Sequence, residues 1–169
     1  MYKFLFIIIL FLFPLLSPGL VFAQSPVQPS VKIEYQLPYP GLLPDSPFYI
    51  LKTIRDRSVG FLISAPLKKA EFDLMQADKR ISAGVYLLHQ KKGKQVLAES
   101  TMSKGENYFS SAIKDIKQAK KEGRQTTDML KKMLTASQKY QEIFKELDLR
   151  GLEKRAADFE KEVSALILQ

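Results

Sequence analysis

His89 is the one histidine of the chain and cysteine is absent, so acid–base, metal and nucleophilic chemistry have few residues to work with. A metal site or a catalytic centre needs three or more convergent groups. No carboxylate stands at ligand spacing around His89, which reads as a solvated side chain near a helix end. Ser100, Ser103, Ser110 and Ser111 share a helix that offers no His or Lys base at a defined spacing, and an unactivated hydroxyl is a weak nucleophile. No strand leads into a glycine-rich phosphate loop, because no strand is expected. The lack of cysteine excludes a disulfide framework, a thiolate metal site, a catalytic thiol and a lipid-bearing cysteine anchor. The expectation is a non-enzyme with no catalytic residue, no metal and no cofactor.

Two surfaces survive that filter. Lys114, Lys117 and Lys121 lie opposite the apolar stripe of their helix, Lys120 and Arg124 extend the patch, and Lys91, Lys92 and Lys94 crowd the turn before it. With 26 Lys+Arg against 18 Asp+Glu and a formal charge of +8, such a patch suits lipid headgroups or an anionic surface polymer, and nucleic acid ranks last for an exported chain. The competing reading is a solvated face. Phe72, Met75 and Tyr86 form a second apolar face on the preceding helix, as expected of a helix that is central in a bundle or that meets an envelope protein. Leu37, Tyr39, Leu42 and Leu43 are the candidates within the chain to cover that face. The triplets Arg55-Asp56-Arg57 and Asp78-Lys79-Arg80 are expected to meet as an interhelical charge network of little net stability. The oligomeric state is open.

The elements that must carry these groups follow from patterning. Lys3, the apolar run Phe4–Phe13, breakers from Pro14 to Gly19 and the small-x-small Val21-Phe22-Ala23 make residues 1–23 a signal peptide, read as cleaved, with retention of residues 4–23 as a membrane anchor the alternative. The product is secreted or displayed at the cell surface. Residues 24–36 form an extended linker and residues 37–169 one helical domain. Four prolines between Leu37 and Pro47 make a stiff arm, ending in a helix start capped by Ser46 or Asp45 with Pro47 in the first turn.

The fold expected is an all-α bundle of four to five helices. The first, about 47–63, buries Leu51, Ile54, Ser58, Phe61 and Leu62, with Arg55 and Arg57 at the edges of the stripe and Asp56 opposite. The second, from Pro66 to about Lys92, and the third, about 94–122, are joined so tightly at Gly93 that they form a long antiparallel hairpin. Pairing positions whose numbers sum to 185 or 186 sets Ile81 against Gly105, Leu74 against Ala112 and Ala77 against Tyr108, large against small almost throughout. A fourth helix starts near Thr126 or Thr127, and Gly151 separates it from a last one.

The segment LPYPGLLPDSPFYILK (Leu37 to Lys52), with Arg55-Asp56-Arg57, Pro66 to Glu71 and Ala77-Asp78-Lys79-Arg80-Ile81, resembles a helical extracytoplasmic domain of unknown function found in exported or membrane-anchored proteins of bacteria and archaea. The resemblance runs from about Leu37 to Ala119. It implies a position outside the cytoplasm and an all-helical fold, and it carries no catalytic residues.

Overall fold

The computed structural model describes residues 33–90 and 93–168. The expected signal peptide, most of the linker, and Lys91 and Lys92 lie outside the described residues. From Ile33 onward the chain is one compact unit. Among the described residues there are five helices and no strand: α1 Tyr49–Leu62, α2 Pro66–Gln90, α3 Gln95–Lys121, α4 Thr127–Glu146 and α5 Arg150–Leu168. The helices α2 and α3 pack along their lengths as a hairpin, α4 and α5 make a second one, and α3 joins the two through α5. Helix α1 touches α2 only lightly.

The close approach of α2 and α3 is set by glycine. A Cβ on Gly105 would lie 3.0 Å from Ile81 Cγ1, 3.1 Å from the Ala77 carbonyl oxygen and 3.3 Å from Arg80 Cβ. One on Gly84 would collide with Met102 Cγ and lie 3.0 Å from the Ala98 oxygen. Ile81 therefore faces Gly105, as the size alternation predicts. The Arg80 guanidinium lies over the Tyr108 ring at 4.9 Å.

Beyond the single expected stripe, α3 also buries Met102, which packs on Gly84 of α2, together with Phe109 and Ile113. Phe109 meets the Tyr140 ring of α4 edge-on at 5.5 Å and the Phe159 ring of α5 at 5.0 Å. The helix is thus apolar over a wide arc because it packs on α2 and on the α4–α5 hairpin.

Two helix boundaries differ from expectation and a third agrees with it. Helix α1 begins after a turn rather than at Pro47, and its N-cap residue Phe48 makes no side-chain capping bond. Gly123 (φ 72°) closes α3 as foreseen, its N–H donating to Lys120 O and that of Arg124 to Ala119 O. The last break falls at Asp148, not at Gly151. Asp148 takes the left-handed φ of 53°, its N–H donating to Lys145 O and that of Leu149 to Phe144 O, the same paired closure that glycine usually supplies. Gly151 lies inside α5 with open space where a Cβ would be.

Candidate functional site

Helix α1 is turned the opposite way from its apolar pattern. Asp56, expected to face solvent, is its one buried residue at 5% exposure, while Leu51, Ile54, Phe61 and Leu62 are 62%, 58%, 89% and 78% exposed. At 3.6 residues per turn, Ile50, Leu51, Ile54, Ser58, Phe61 and Leu62 occupy about a third of the circumference, with Arg55 and Arg57 on either edge. Phe48 and Val59 are exposed beside them.

The cause lies in α2, whose face toward α1 and the arm is polar. Asp73, Gln76 and Arg80 are buried on its side toward α1, and Asp78 on another side, toward the arm and α4, and buried polar groups need partners. The inward face of α1 carries hydrogen-bonding or small residues that can meet them. Arg80 Nη1 donates to Tyr49 Oη at 2.5 Å. Lys52 Nζ donates to Pro40 O at 2.7 Å and Leu42 O at 3.2 Å, pinning the arm to α1. Burial lowers the Lys52 pKa, against the raising effect of Asp56. Asp56 pairs with its neighbour Arg55 at 2.7 Å, so the two charged triplets do not meet as the expected network; tyrosines take most of the partners. A Cβ on Gly60 would sit 3.0 Å from the Phe72 ring, so α1 comes down on Phe72.

Beside Arg80, Tyr35 and Tyr140 both donate to Asp78, at 2.8 Å to Oδ2 and 2.6 Å to Oδ1. This clasp ties the arm, α2 and α4 together. Burial raises the Asp78 pKa, and the two hydroxyls, with the more distant Lys132, pull it back. Both phenols are pushed up, first by burial and then by the Asp78 charge. The cluster is closed and Tyr140 fully buried, which suits fastening rather than turnover.

A cleft of about 420 Å³ at one edge of α1 is lined by Arg57, Phe61, Lys114 and the carboxylates Asp56, Asp73 and Asp115. Asp73 is pushed up to about 7 by burial first, then by the charge and hydrogen bond of Asp115, with Lys69 opposing. Such a pair shares a proton near neutrality. At the other edge, a cleft of about 360 Å³ is lined by Tyr39, Leu42, Leu51, Lys52, Arg55 and Lys79, with no carboxylate in its wall. Among the described residues no group of three or more His, Asp or Glu side chains is placed to hold a metal ion.

Of the expected basic patch, Lys117, Lys120 and Lys121 line one cleft of about 510 Å³ with Glu162 and Leu166. Lys117 Nζ donates to Glu162 at 2.6 Å and Lys120 Nζ to the Leu166 carbonyl at 2.6 Å, so both hold the end of α5, where a cation suits the helix dipole. Lys121 and Arg124 are exposed and Lys114 belongs to the cleft beside Phe61. Met75 is 39% exposed and Tyr86 half-buried. His89 is exposed, with Nδ1 at 2.9 Å from the Val85 carbonyl.

Glu106 escaped the sequence reading. It is fully buried on α3 against Arg155 of α5, 3.1 Å away but off the hydrogen-bonding direction, and burial pushes it up to about 7 against the pull of that arginine. Its place beside Gly105, on the flank of the α3 stripe that turns to α5, is the signal that could have found it.

No protein-family model, no curated protein and no solved structure matches this chain.

Proposed function

We propose that this chain is a non-catalytic interaction domain of the cell exterior, secreted or displayed at the surface, whose bundle exists to present helix α1. The observation that carries the reading is the outward apolar stripe. Fully burying a large apolar side chain is worth about 1.5–3 kcal/mol, so the five large apolar residues of the stripe, Ile50, Leu51, Ile54, Phe61 and Leu62, offer an occupant on the order of 10 kcal/mol in gross burial. Scattered exposed leucines are ordinary; a contiguous stripe with basic edges is not. The signal pattern of residues 1–23 and the resemblance of residues 37–119 to extracytoplasmic domains support the location. The alternative form keeps residues 4–23 as an anchor and uses the same domain to bind ligands or partners outside the membrane.

Since the chain lacks cysteine, single introduced thiols report location and coverage together. Phe61→Cys and, as a control on the exposed start of α4, Asp128→Cys are expressed in the full chain in an exporting host. Intact cells are then treated with a membrane-impermeant maleimide. Labelling at position 128 with protection at position 61 is expected. Absence of label at both positions refutes the exterior location, and equal labelling refutes α1 as the covered surface.

A further inference from the structure

We infer that the occupant of α1 is the interface of an anionic lipid bilayer, with α1 lying in the headgroup plane and its stripe among the upper acyl carbons. The inference rests on the interaction reading above and names the partner. Helix α1 is about 21 Å long at 1.5 Å per residue over its 14 residues. Its sectors run in the order that an interfacial helix requires: an apolar sector of Ile50, Leu51, Ile54, Phe61 and Leu62, an arginine at each edge, and a polar face turned away.

The cations continue outward from both edges. Arg55 shares its cleft with Lys52 and Lys79, and the exposed aromatic Tyr39 stands at that rim. On the opposite side Arg57 and Lys114 flank Phe61. A phosphate-bearing headgroup meets cations on either side of the stripe: Lys52 and Lys79 beside the Asp56-paired Arg55, in a cleft whose wall holds no carboxylate, and Arg57 and Lys114 at the other edge, where Asp56, Asp73 and Asp115 share the cleft.

Charge decides against a second copy of the chain. Two α1 helices packed stripe to stripe about a two-fold axis bring an arginine edge against an arginine edge, which opposes association, whereas an anionic surface complements both edges at once. In the anchored form the attraction is further assisted by tethering. Residues 24–32 span at most about 30 Å when extended, so a retained segment 4–23 holds α1 at high effective concentration over the bilayer.

The test uses the full chain, so that the anchor cannot be mistaken for α1, and reads depth at one residue. Phe61→Cys and Asp128→Cys carry an NBD fluorophore, and the protein is reconstituted in phosphatidylcholine vesicles with or without phosphatidylglycerol. The expected result is a blue shift at position 61, quenched by spin-labelled acyl chains and strengthened by phosphatidylglycerol, with neither change at position 128. Arg57→Gln with Lys79→Gln weakens the phosphatidylglycerol-dependent part roughly 30-fold, about fivefold for each cation near an anionic surface. High salt does the same as the screening length falls to about 3 Å at 1 M.

Fluorescence at position 61 that matches position 128 in both vesicles overturns the inference. So does a shift that appears without vesicles and grows with protein concentration, which identifies self-association. Protection of position 61 in cells together with either of those results leaves the interaction reading standing and removes the bilayer as its partner. Equal labelling in cells removes both.

Discussion

Replacing Gly105 by leucine probes the α2–α3 interface at its closest point. Two effects compete. Glycine costs about 1 kcal/mol relative to alanine inside a helix, so at a solvent-facing site the change stabilises. At this site the first added carbon already meets Ile81, the Ala77 carbonyl and Arg80 Cβ at 3.0, 3.1 and 3.3 Å, and the remaining three carbons have no void to enter. Overpacking of this kind costs about 1–3 kcal/mol, net of some propensity gain, which for a domain of this size lowers the thermal midpoint by roughly 4–12 °C.

The identity of the neighbours refines the expectation for a mutant cycle. Ile81 can be trimmed, but the Ala77 oxygen belongs to the α2 backbone and Arg80 Cβ moves only with it. Gly105→Leu with Ile81→Ala therefore recovers only part of the loss, and the two changes couple non-additively. Circular dichroism melts of the three variants and the parent decide it. A raised midpoint for Gly105→Leu alone, or strict additivity in the cycle, refutes the register.

Further tests concern charge and chain geometry. The folded chain keeps the Asp73 proton up to about pH 7, where a free aspartate near 3.8 has long released it; the contribution is therefore full below about pH 4 and is lost as pH rises through 7. Asp73→Asn should flatten that part of a urea-midpoint profile, leaving the same-signed dependences of Glu106 and Asp78, and an unchanged slope refutes the pairing with Asp115. Asp148→Gly should stabilise by up to about 1 kcal/mol, because left-handed geometry penalises a side chain and the Arg150 pair given up is more than 80% exposed on both sides. Gly151→Ala should also stabilise, by up to about 1 kcal/mol; destabilisation by either change contradicts the chain break at Asp148.

Much of the bundle is legible in the sequence because helix period, glycine stops and residue size all act locally. Ile81 facing Gly105 needs only a short turn and the alternation of large with small. The second face of α3 was harder to read. Phe109 and Glu106 sit off the main stripe, and their burial depends on α4 and α5 arriving from across the chain. The break at Asp148 was hidden for a different reason: a nearby glycine offered the usual signal, while the residue that adopts the left-handed turn was an aspartate.

The direction of α1 illustrates a limit of amphipathic patterning, which identifies two faces but not which one points inward. Arg80 holds the missing information. It is 8% exposed between half-buried Lys79 and buried Ile81, so a donor-rich guanidinium there needs partners, and the Tyr49 hydroxyl and the Tyr108 ring supply them. Rotating α1 to bury its stripe strips the Tyr49 bond from Arg80 and the Lys52 bonds from the arm, at about 1–3 kcal/mol for each buried group left unsatisfied. Even half-burying Leu51, Ile54, Phe61 and Leu62 on α2 returns about 3–6 kcal/mol, a comparable sum. The two orientations are therefore close in energy within the isolated chain, and the polar contacts select the outward one without a large margin. A surface that accepts the stripe then adds its whole burial to the orientation already chosen, and that is the arrangement expected of a helix built to dock rather than to complete a core.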